Sequence, residues 1–165
     1  MGAAWRDHGT TVEWAVLVLP ALSVLAYFWR RRTRSRIAAV AEVGLVAGSL
    51  PWAVMLFTPQ PATRSIELVP LHDLPSWNVA QVGGNLLVLA AFGFFLPVRV
   101  AAVASLPRIL ACAVLASSGI EVLQWVLAIG RVTSVDDVLM NTAGAVVAAM
   151  ASRPWWARVP VREIG

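Results

Sequence analysis

The sequence is poor in several residue types that soluble proteins use freely. It has one cysteine, Cys112, two histidines and no lysine, so all 13 basic residues are arginine, and charged residues make up only 13%. A single cysteine excludes a disulfide within the chain, and low charge argues against a soluble domain. Hydrophobic residues reach 59% and the mean hydropathy is +0.74. The composition therefore predicts an integral membrane protein.

The net charge of +4 does not indicate nucleic-acid binding. The densest group of arginines directly follows an apolar segment and comprises Arg30, Arg31, Arg32, Arg34 and Arg36. Clusters at the end of a membrane span set the orientation of the chain and contact anionic headgroups. We interpret the cluster as a topology signal and expect membrane lipids, not nucleic acid, as partners.

Apolar segments at five places predict an all-α, polytopic membrane helical bundle with about five transmembrane helices. Most approach the roughly 20 residues that a spanning helix requires. The predicted spans are 12–29, 37–58, 79–97, 109–129 and 135–152. They divide the chain into two N-terminal helices with an arginine-rich loop (1–58), a three-helix region with a long loop (59–152) and a tail (153–165).

The distribution of arginine predicts the orientation. The connection after the first span holds five arginines, that after the third span two and the tail three, whereas the other side of the membrane holds only Arg6, Arg64 and Arg131. Because the arginine-rich side is normally cytoplasmic, we expect a multi-pass cell-membrane protein with its amino terminus outside and its carboxyl terminus in the cytoplasm.

Small residues predict close helix approach. Gly44 and Gly48 in the second span, and Gly144 and Ala148 in the fifth, are each four positions apart. Such pairs bring helix backbones together. They permit packing within the chain or a dimer, so the sequence leaves the oligomeric state open.

Polar residues cluster in and around the last three spans. Ser117, Glu121 and Gln124 share one face of the fourth helix by their spacing. An ionisable residue within a span indicates a functional site. We predict a polar pocket open to the outer side, with ligand-binding candidates Asn85, Glu121, Gln124, Arg131, Asp136, Asp137 and Asn141.

Structural roles are the alternative for most of these residues. Asn85, Gln124 and Asn141 can act as interhelical hydrogen-bond donors and acceptors. Ser134 and Asp137 resemble a capping box, and Asp136 suits the positive end of a helix. Glu121 is harder to explain in this way, because a carboxyl group in low dielectric needs a partner to stay ionised.

The loop at 59–78 contains four prolines and should be stiff and non-helical. It could fold over the polar residues as a lid. It carries Glu67 and the adjacent His72 and Asp73, but only His8 is available as a second histidine. We therefore predict no metal site, since such a site needs three or four ligands.

The polar pattern resembles the VanZ-like family of small membrane proteins. The resemblance rests on Asn85 in NLLVLAAFGFFLP, Glu121 and Gln124 in IEVLQ, Gly130–Arg131, and the aspartates with Asn141 and Gly144 in VDDVLMNTAG. It covers about Glu67 to Met150 and leaves the first two spans outside. The chain departs from the family pattern at Ala91, Ser134 and Ala148.

This resemblance implies an all-helical envelope protein of a family associated with glycopeptide resistance, notably to teicoplanin, but it implies no reaction. We expect a protein that binds a lipid-linked, cell-envelope or glycopeptide-related ligand at its outer face. The alternatives are an acid–base enzyme acting on an envelope lipid, with Glu121, Asp136 or Asp137 as catalytic candidates, and a proton- or ion-coupled transporter. The motifs imply no cofactor.

Overall fold

The computed structural model describes residues 18–61, 65–71 and 78–157, and this part is mostly helical. Two short 3-10 turns, Ala101–Val103 and Arg153–Trp155, accompany the main elements. In chain order these are α1 (Val18–Arg30), α2 (Arg36–Phe57), β1 (Ser65–Glu67), α3 (Val79–Val88), α4 (Ala90–Arg99), α5 (Leu106–Val126), β2 (Val132–Ser134) and α6 (Val135–Ser152).

The predicted all-α membrane bundle is confirmed. Three helices of the described part are long and apolar enough to cross a membrane: α2, the combined helix α3–α4 and α5. The combined helix runs from Val79 to Arg99 and is interrupted only at Leu89. Helix α6 begins and ends where the fifth span was predicted. Of the first predicted span, residues 12–17 lie outside the described residues.

Local sequence explains where the helices begin. Ser35, Asn78 and Ser134 are the N-caps of α2, α3 and α6, and each side chain accepts a hydrogen bond from a backbone amide of the first turn. Such bonds satisfy amides that have no partner within the helix. Helix α5 instead carries Pro107 in its first turn, where a missing amide hydrogen costs nothing.

The fourth span ends earlier than predicted. We placed its end at Ile129, before Gly130, but α5 stops at Val126. The reason is that Ala128 already adopts a left-handed conformation (φ 52°), and Gly130 follows with φ 70°. A backbone with positive φ cannot continue a right-handed helix, so these two residues turn the chain towards β2.

Helix α6 lies at the centre, against α3, α4 and α5. A Cβ atom at Gly93 of α4 would meet the backbone of Ala145, and one at Gly144 of α6 would meet the backbone of Leu86. The helices therefore approach each other backbone to backbone at these two positions. Glycine at position 144 permits the close packing that the sequence predicted.

Gly44 and Gly48, the glycine pair of α2, face α4. A Cβ atom at Gly44 would meet the ring of Phe95, and one at Gly48 would meet the methyl group of Ala91. The contact between α2 and α4 is thus made through side chains.

The two strands form a small parallel sheet that the sequence analysis did not predict. Ser65 pairs with Val132, Ile66 with Thr133 and Glu67 with Ser134. The pairing joins the loop after α2 to the segment that leads into α6. We call this end of the bundle, where α5 ends and α6 begins, the polar end.

The opposite end, where α1 ends and α2 begins, is the arginine-rich end. Glu42 of α2 lies there and was not singled out from the sequence. It binds Arg30 at the end of α1, Arg34 in the following turn and Arg99 at the end of α4. These ion pairs attach α1 to the rest of the bundle.

Candidate functional site

The predicted site residues lie at the polar end, where three helices and the strand pair meet. Asn85 comes from α3, Glu121 and Gln124 from α5, and the remaining members from the connection to α6 and from its first two turns. We call these residues the polar cluster: Asn85, Glu121, Gln124, Arg131, Asp136, Asp137 and Asn141.

Glu121 is buried, with only 4% of its surface exposed. Its Oε2 atom accepts a hydrogen bond from the backbone amide of Ser134 at 3.1 Å. Ser134 is the N-cap of α6, and in a capping box its amide would bond to the side chain of Asp137. Glu121 takes this amide and links α5 directly to the start of α6.

Asp137 accepts a hydrogen bond from the side-chain amide of Asn85. The bond joins α3 to the first turn of α6, where the partial positive charge of the helix end favours a carboxylate. The two residues that the sequence placed on separate helices are therefore direct partners.

Asp136 holds the loop that precedes α3. It is 3% exposed, and its Oδ1 atom accepts a hydrogen bond from the amide of Leu71 at 2.6 Å. Leu71 has a φ of 62°, and this left-handed conformation is energetically unfavourable for a residue with a bulky side chain. This bond and the β1–β2 pairing hold the described part of the loop against the polar end.

Gln124 and Arg131 fasten the end of α2. The Nε2 atom of Gln124 donates to the carbonyl of Leu56 at 2.9 Å, and Nη2 of Arg131 donates to the carbonyl of Met55 at 2.6 Å. Both carbonyls belong to the last turn of α2, where the regular i to i+4 hydrogen bonds of the helix end, and the carbonyl of Met55 also accepts the amide of the C-cap Thr58. These bonds give the two residues structural roles, and a cation at this helix end is also electrostatically favourable.

Asn141 lies deeper in the bundle and is 2% exposed. Its amide nitrogen donates to the Ser117 hydroxyl at 2.9 Å, which links α6 to α5.

Three buried polar atoms in the described part of the chain have no hydrogen-bond partner: Nε of Arg131, Oδ1 of Asn141 and Oγ1 of Thr142. Buried polar atoms are normally paired, so these atoms mark places where a further polar group would be stabilised.

The charges of the cluster influence one another. Burial lowers the pKa of the Arg131 guanidinium, while the carboxylates of Asp137 and Glu121 act in the opposite direction. Arginine remains a cation in proteins. Arg131 therefore supplies a permanent positive charge beside two acidic side chains, in surroundings where water screens charge poorly.

Part of the long loop lies outside the described residues, including His72 and Asp73. Residues on either side of its gaps contact the polar end: the amide of Gln60 donates to the carbonyl of Ile129 at 2.8 Å, and β1 pairs with β2. Among the residues that the structure describes, no three His, Cys, Asp or Glu side chains are grouped to hold a metal ion.

Two further polar residues of this region were not among the residues that the sequence predicted as site members. Ser134, proposed as a cap, also gives its amide to Glu121, and Thr142 carries a buried hydroxyl next to Asn141. A threonine beside an asparagine within an apolar segment was a visible signal. The carbonyl partners on α2 had no signal, because every residue has a carbonyl group.

Comparison with protein families gives a clear result. The family model described as VanZ/LLP1 matches residues 37–156, which is most of the chain. The chain belongs to the VanZ/LLP1 family. The match begins at the start of α2, so the expectation that the second span lies outside the resemblance was wrong. The whole polar cluster lies within the matched residues. No curated protein and no solved structure matches the chain significantly.

Proposed function

We propose that this VanZ/LLP1 family protein binds a lipid-linked or cell-envelope ligand at its polar end, which faces the outside of the cell membrane. The observation that carries the proposal is the set of unpartnered buried atoms on Arg131, Asn141 and Thr142. They lie among residues from α3, α5 and α6 that already bond to one another. Arg131 would contact an anionic group of the ligand, and the asparagine would orient a polar headgroup.

The orientation in this proposal follows from the arginines. Arg30, Arg34 and Arg99 meet at one end of the bundle, whereas Arg131 lies at the other. By the positive-inside rule, we infer that the arginine-rich end lies in the cytoplasm and the polar end outside. A ligand that reaches the polar end would come from the outer leaflet or from the cell envelope.

Photo-crosslinking tests the proposal. The full-length protein in membranes is exposed to a photoactivatable polyprenyl phosphate and, in parallel, to the corresponding polyprenol without the phosphate. We expect capture of the phosphate probe at peptides of the polar end. Arg131→Ala should reduce capture about tenfold, as expected when a charged partner is removed. Glu121→Gln and Asp137→Asn each remove a negative charge that would repel the phosphate, so they should retain or increase capture.

A matched control separates binding from stability. Gly44→Ala disturbs the α2–α4 contact away from the polar cluster and should retain capture despite a lower thermal stability. Mass spectrometry of material co-purified with the wild type would identify the natural ligand. Equal capture in all variants, or equal capture of both probes, would contradict the proposal and leave the cluster a structural role.

An enzymatic function is the second candidate, and the mutual influence of Glu121, Asp137 and Arg131 favours it. One carboxyl group could transfer a proton while the guanidinium stabilises developing negative charge. The measurement is turnover of an envelope lipid by the purified protein. Undiminished turnover by Glu121→Gln would exclude Glu121 from the chemistry.

The association with glycopeptide resistance is a separate proposal. Expression of the protein in a susceptible bacterium should raise the inhibitory concentration of teicoplanin, and Arg131→Ala should abolish the increase. Unchanged susceptibility on expression of the wild type would contradict this proposal without affecting ligand binding at the polar end.

A further inference from the structure

The arginine-rich end carries more positive charge than its own acidic residue offsets. Nε of Arg99 donates to Oε1 of Glu42 at 2.6 Å, Nε of Arg30 donates to Oε2 at 2.5 Å, and Nε of Arg34 lies 3.8 Å from Oε1. Three guanidinium groups thus share one carboxylate. The remaining acidic residues of the described part are at the polar end or in β1, which pairs with β2 there: Glu67, Glu121, Asp136 and Asp137.

The three arginines remain accessible. Their side chains are 30%, 49% and 34% exposed for Arg30, Arg34 and Arg99 respectively, whereas that of Glu42 is 18% exposed. An anion that approaches this end of the bundle therefore meets guanidinium groups first.

A groove of about 280 Å³ lies at the same end, between α2 and α4. Its walls are apolar except for Arg36, which is the first residue of α2. The residues that define its shape are Arg36, Ile37, Val40, Phe94, Val98 and Trp155. Ala41 and Val98 of the groove are the chain neighbours of Glu42 and Arg99, so the groove and the ion pairs occupy the same turn of each helix.

This arrangement matches the two parts of a phospholipid. An apolar groove suits an acyl chain, and the positive charge of Arg36, which lines the groove, suits a phosphate. The N-terminus of α2 adds partial positive charge at Arg36. Trp155 places an amphipathic ring at the level where indoles are enriched at membrane surfaces. Basic sites between helices are known recognition sites for anionic lipid headgroups.

We propose that this groove binds one anionic phospholipid, with an acyl chain along Val40 and Val98 and the phosphate at Arg36. The surplus guanidinium groups around Glu42 select an anionic headgroup over a zwitterionic one. This site is at the opposite end of the bundle from the polar cluster, and its existence does not depend on the function proposed for that cluster.

Native mass spectrometry of the full-length protein in detergent tests the proposal. The protein is titrated with phosphatidylglycerol or with phosphatidylcholine of identical acyl chains. We expect one phosphatidylglycerol to be retained about tenfold more tightly than phosphatidylcholine, from the few arginines near the headgroup. Arg36→Gln should weaken retention about fivefold, and Arg36→Lys, which keeps the charge, should restore most of it.

Matched controls distinguish a site from diffuse attraction. Arg108→Gln removes one positive charge from the start of α5, outside the groove, and Val46→Trp adds a bulky residue on an exposed part of α2. Both should retain phosphatidylglycerol as the wild type does. Val40→Trp places the same residue in the groove at a position that is 48% exposed, and it should weaken retention as much as Arg36→Gln.

Other outcomes overturn the proposal. Equal losses in Arg36→Gln and Arg108→Gln would show that the charge of the whole surface, and not the groove, attracts the lipid. Unchanged retention in Val40→Trp would exclude the groove, and displacement of the lipid by inorganic phosphate would show that an acyl chain is not held. Circular dichroism of each variant checks that the helices are intact.

Discussion

Glu42 and Glu121 are both acidic residues within apolar helices, but the charged groups around them differ at the two ends of the bundle. Glu42 is surrounded by three arginines that outnumber it. Glu121 receives a backbone amide from Ser134, and the nearest charges that influence it include another carboxylate, Asp137. The arginine-rich end thus compensates its acidic residue with excess cations, whereas the described residues of the polar end combine several acidic groups with one arginine, Arg131.

This difference separates two uses of an acidic residue in an apolar helix. A carboxylate with several arginines joins helices, because each partner comes from a different element. A carboxylate held by one amide among other acids contributes little to stability. The two acids therefore differ in how far their own protein neutralises them, and only Glu121 belongs to the ligand site proposed above.

The helix contacts at the two ends differ as well. Gly144 faces the backbone of Leu86, three residues beyond Asn141, while Gly44 faces the ring of Phe95 near the arginine-rich end. A side chain can rotate away from an added methyl group, but a backbone in a helix cannot. The contact at Gly144 is therefore the more rigid of these two contacts.

The largest effect should come from this rigidity. Gly144→Ala forces α6 away from α3 and should lower the free energy of unfolding by about 3 kcal/mol, the upper range for overpacking. Gly44→Ala should cost only about 1 kcal/mol because the Phe95 ring can shift. Thermal unfolding of the two variants in the same detergent checks the order. A larger loss for Gly44→Ala would contradict the view that the backbone contact at Gly144 is the less able to relax.

Exchanging each acid for its amide tests the central contrast. Glu42→Gln leaves three arginines without a counter-charge and should lower stability by about 1–2 kcal/mol, as expected for a partly exposed network. Glu121→Gln keeps an oxygen that can accept from Ser134 and should cost less than about 1 kcal/mol. Melting temperatures at low and high salt are the measurement. The Glu42→Gln loss should shrink at high salt, and a salt-independent loss would argue against an ionic origin.

The bond between Asn85 and Asp137 should appear as a coupling energy of about 1 kcal/mol in a double-mutant cycle, a usual value for polar contacts between membrane helices. The cycle uses Asn85→Ala, Asp137→Ala and the double variant. Asn85→Ala combined with Glu42→Gln is the control, because these residues lie at opposite ends and should be additive within about 0.5 kcal/mol. Additivity of Asn85 and Asp137 would mean that their contact carries no stabilising energy.

The smallest change in stability is expected at Thr142. Its buried hydroxyl has no partner, so Thr142→Val keeps the shape and should change the free energy of unfolding by less than about 0.5 kcal/mol. Ser117→Ala removes the hydroxyl that accepts from Asn141 and should cost about 1 kcal/mol. If the unpartnered atoms serve a ligand, Thr142→Val should nevertheless reduce capture of the photoactivatable phosphate probe. A marked destabilisation would instead show that the hydroxyl has a structural partner.

Helix positions were the part of the fold that the sequence predicted well. Apolar length and the capping residues Ser35, Asn78 and Ser134 are local properties, so α6 was predicted with its observed bounds. The early end of α5 was not predicted, because the left-handed turn at Ala128 is fixed by the strand pair that follows. That strand pair depends on contacts between distant parts of the chain.

The candidate site could be predicted as a set of residues but not as a set of bonds. Polar side chains in apolar helices identify Asn85, Glu121 and Asn141 directly. The partner of Asn85 is a carboxylate on another helix, that of Glu121 is a backbone amide, and that of Asn141 is a serine hydroxyl. No rule of spacing selects these partners. Glu42 shows the reverse error, since the same rule that singled out Glu121 applied to it and was not used.

The parallel pairing of β1 with β2 has a consequence for how the protein is made. Helices α3, α4 and α5 all lie between the two strands in the chain. A nascent chain that has emerged only as far as α5 has no partner for β1, for Asn85 or for Glu121, because each bonds to residues from β2 onwards. The polar end is therefore closed only after β2 and α6 have been synthesised, and a chain truncated before β2 would leave these polar groups unsatisfied in the membrane.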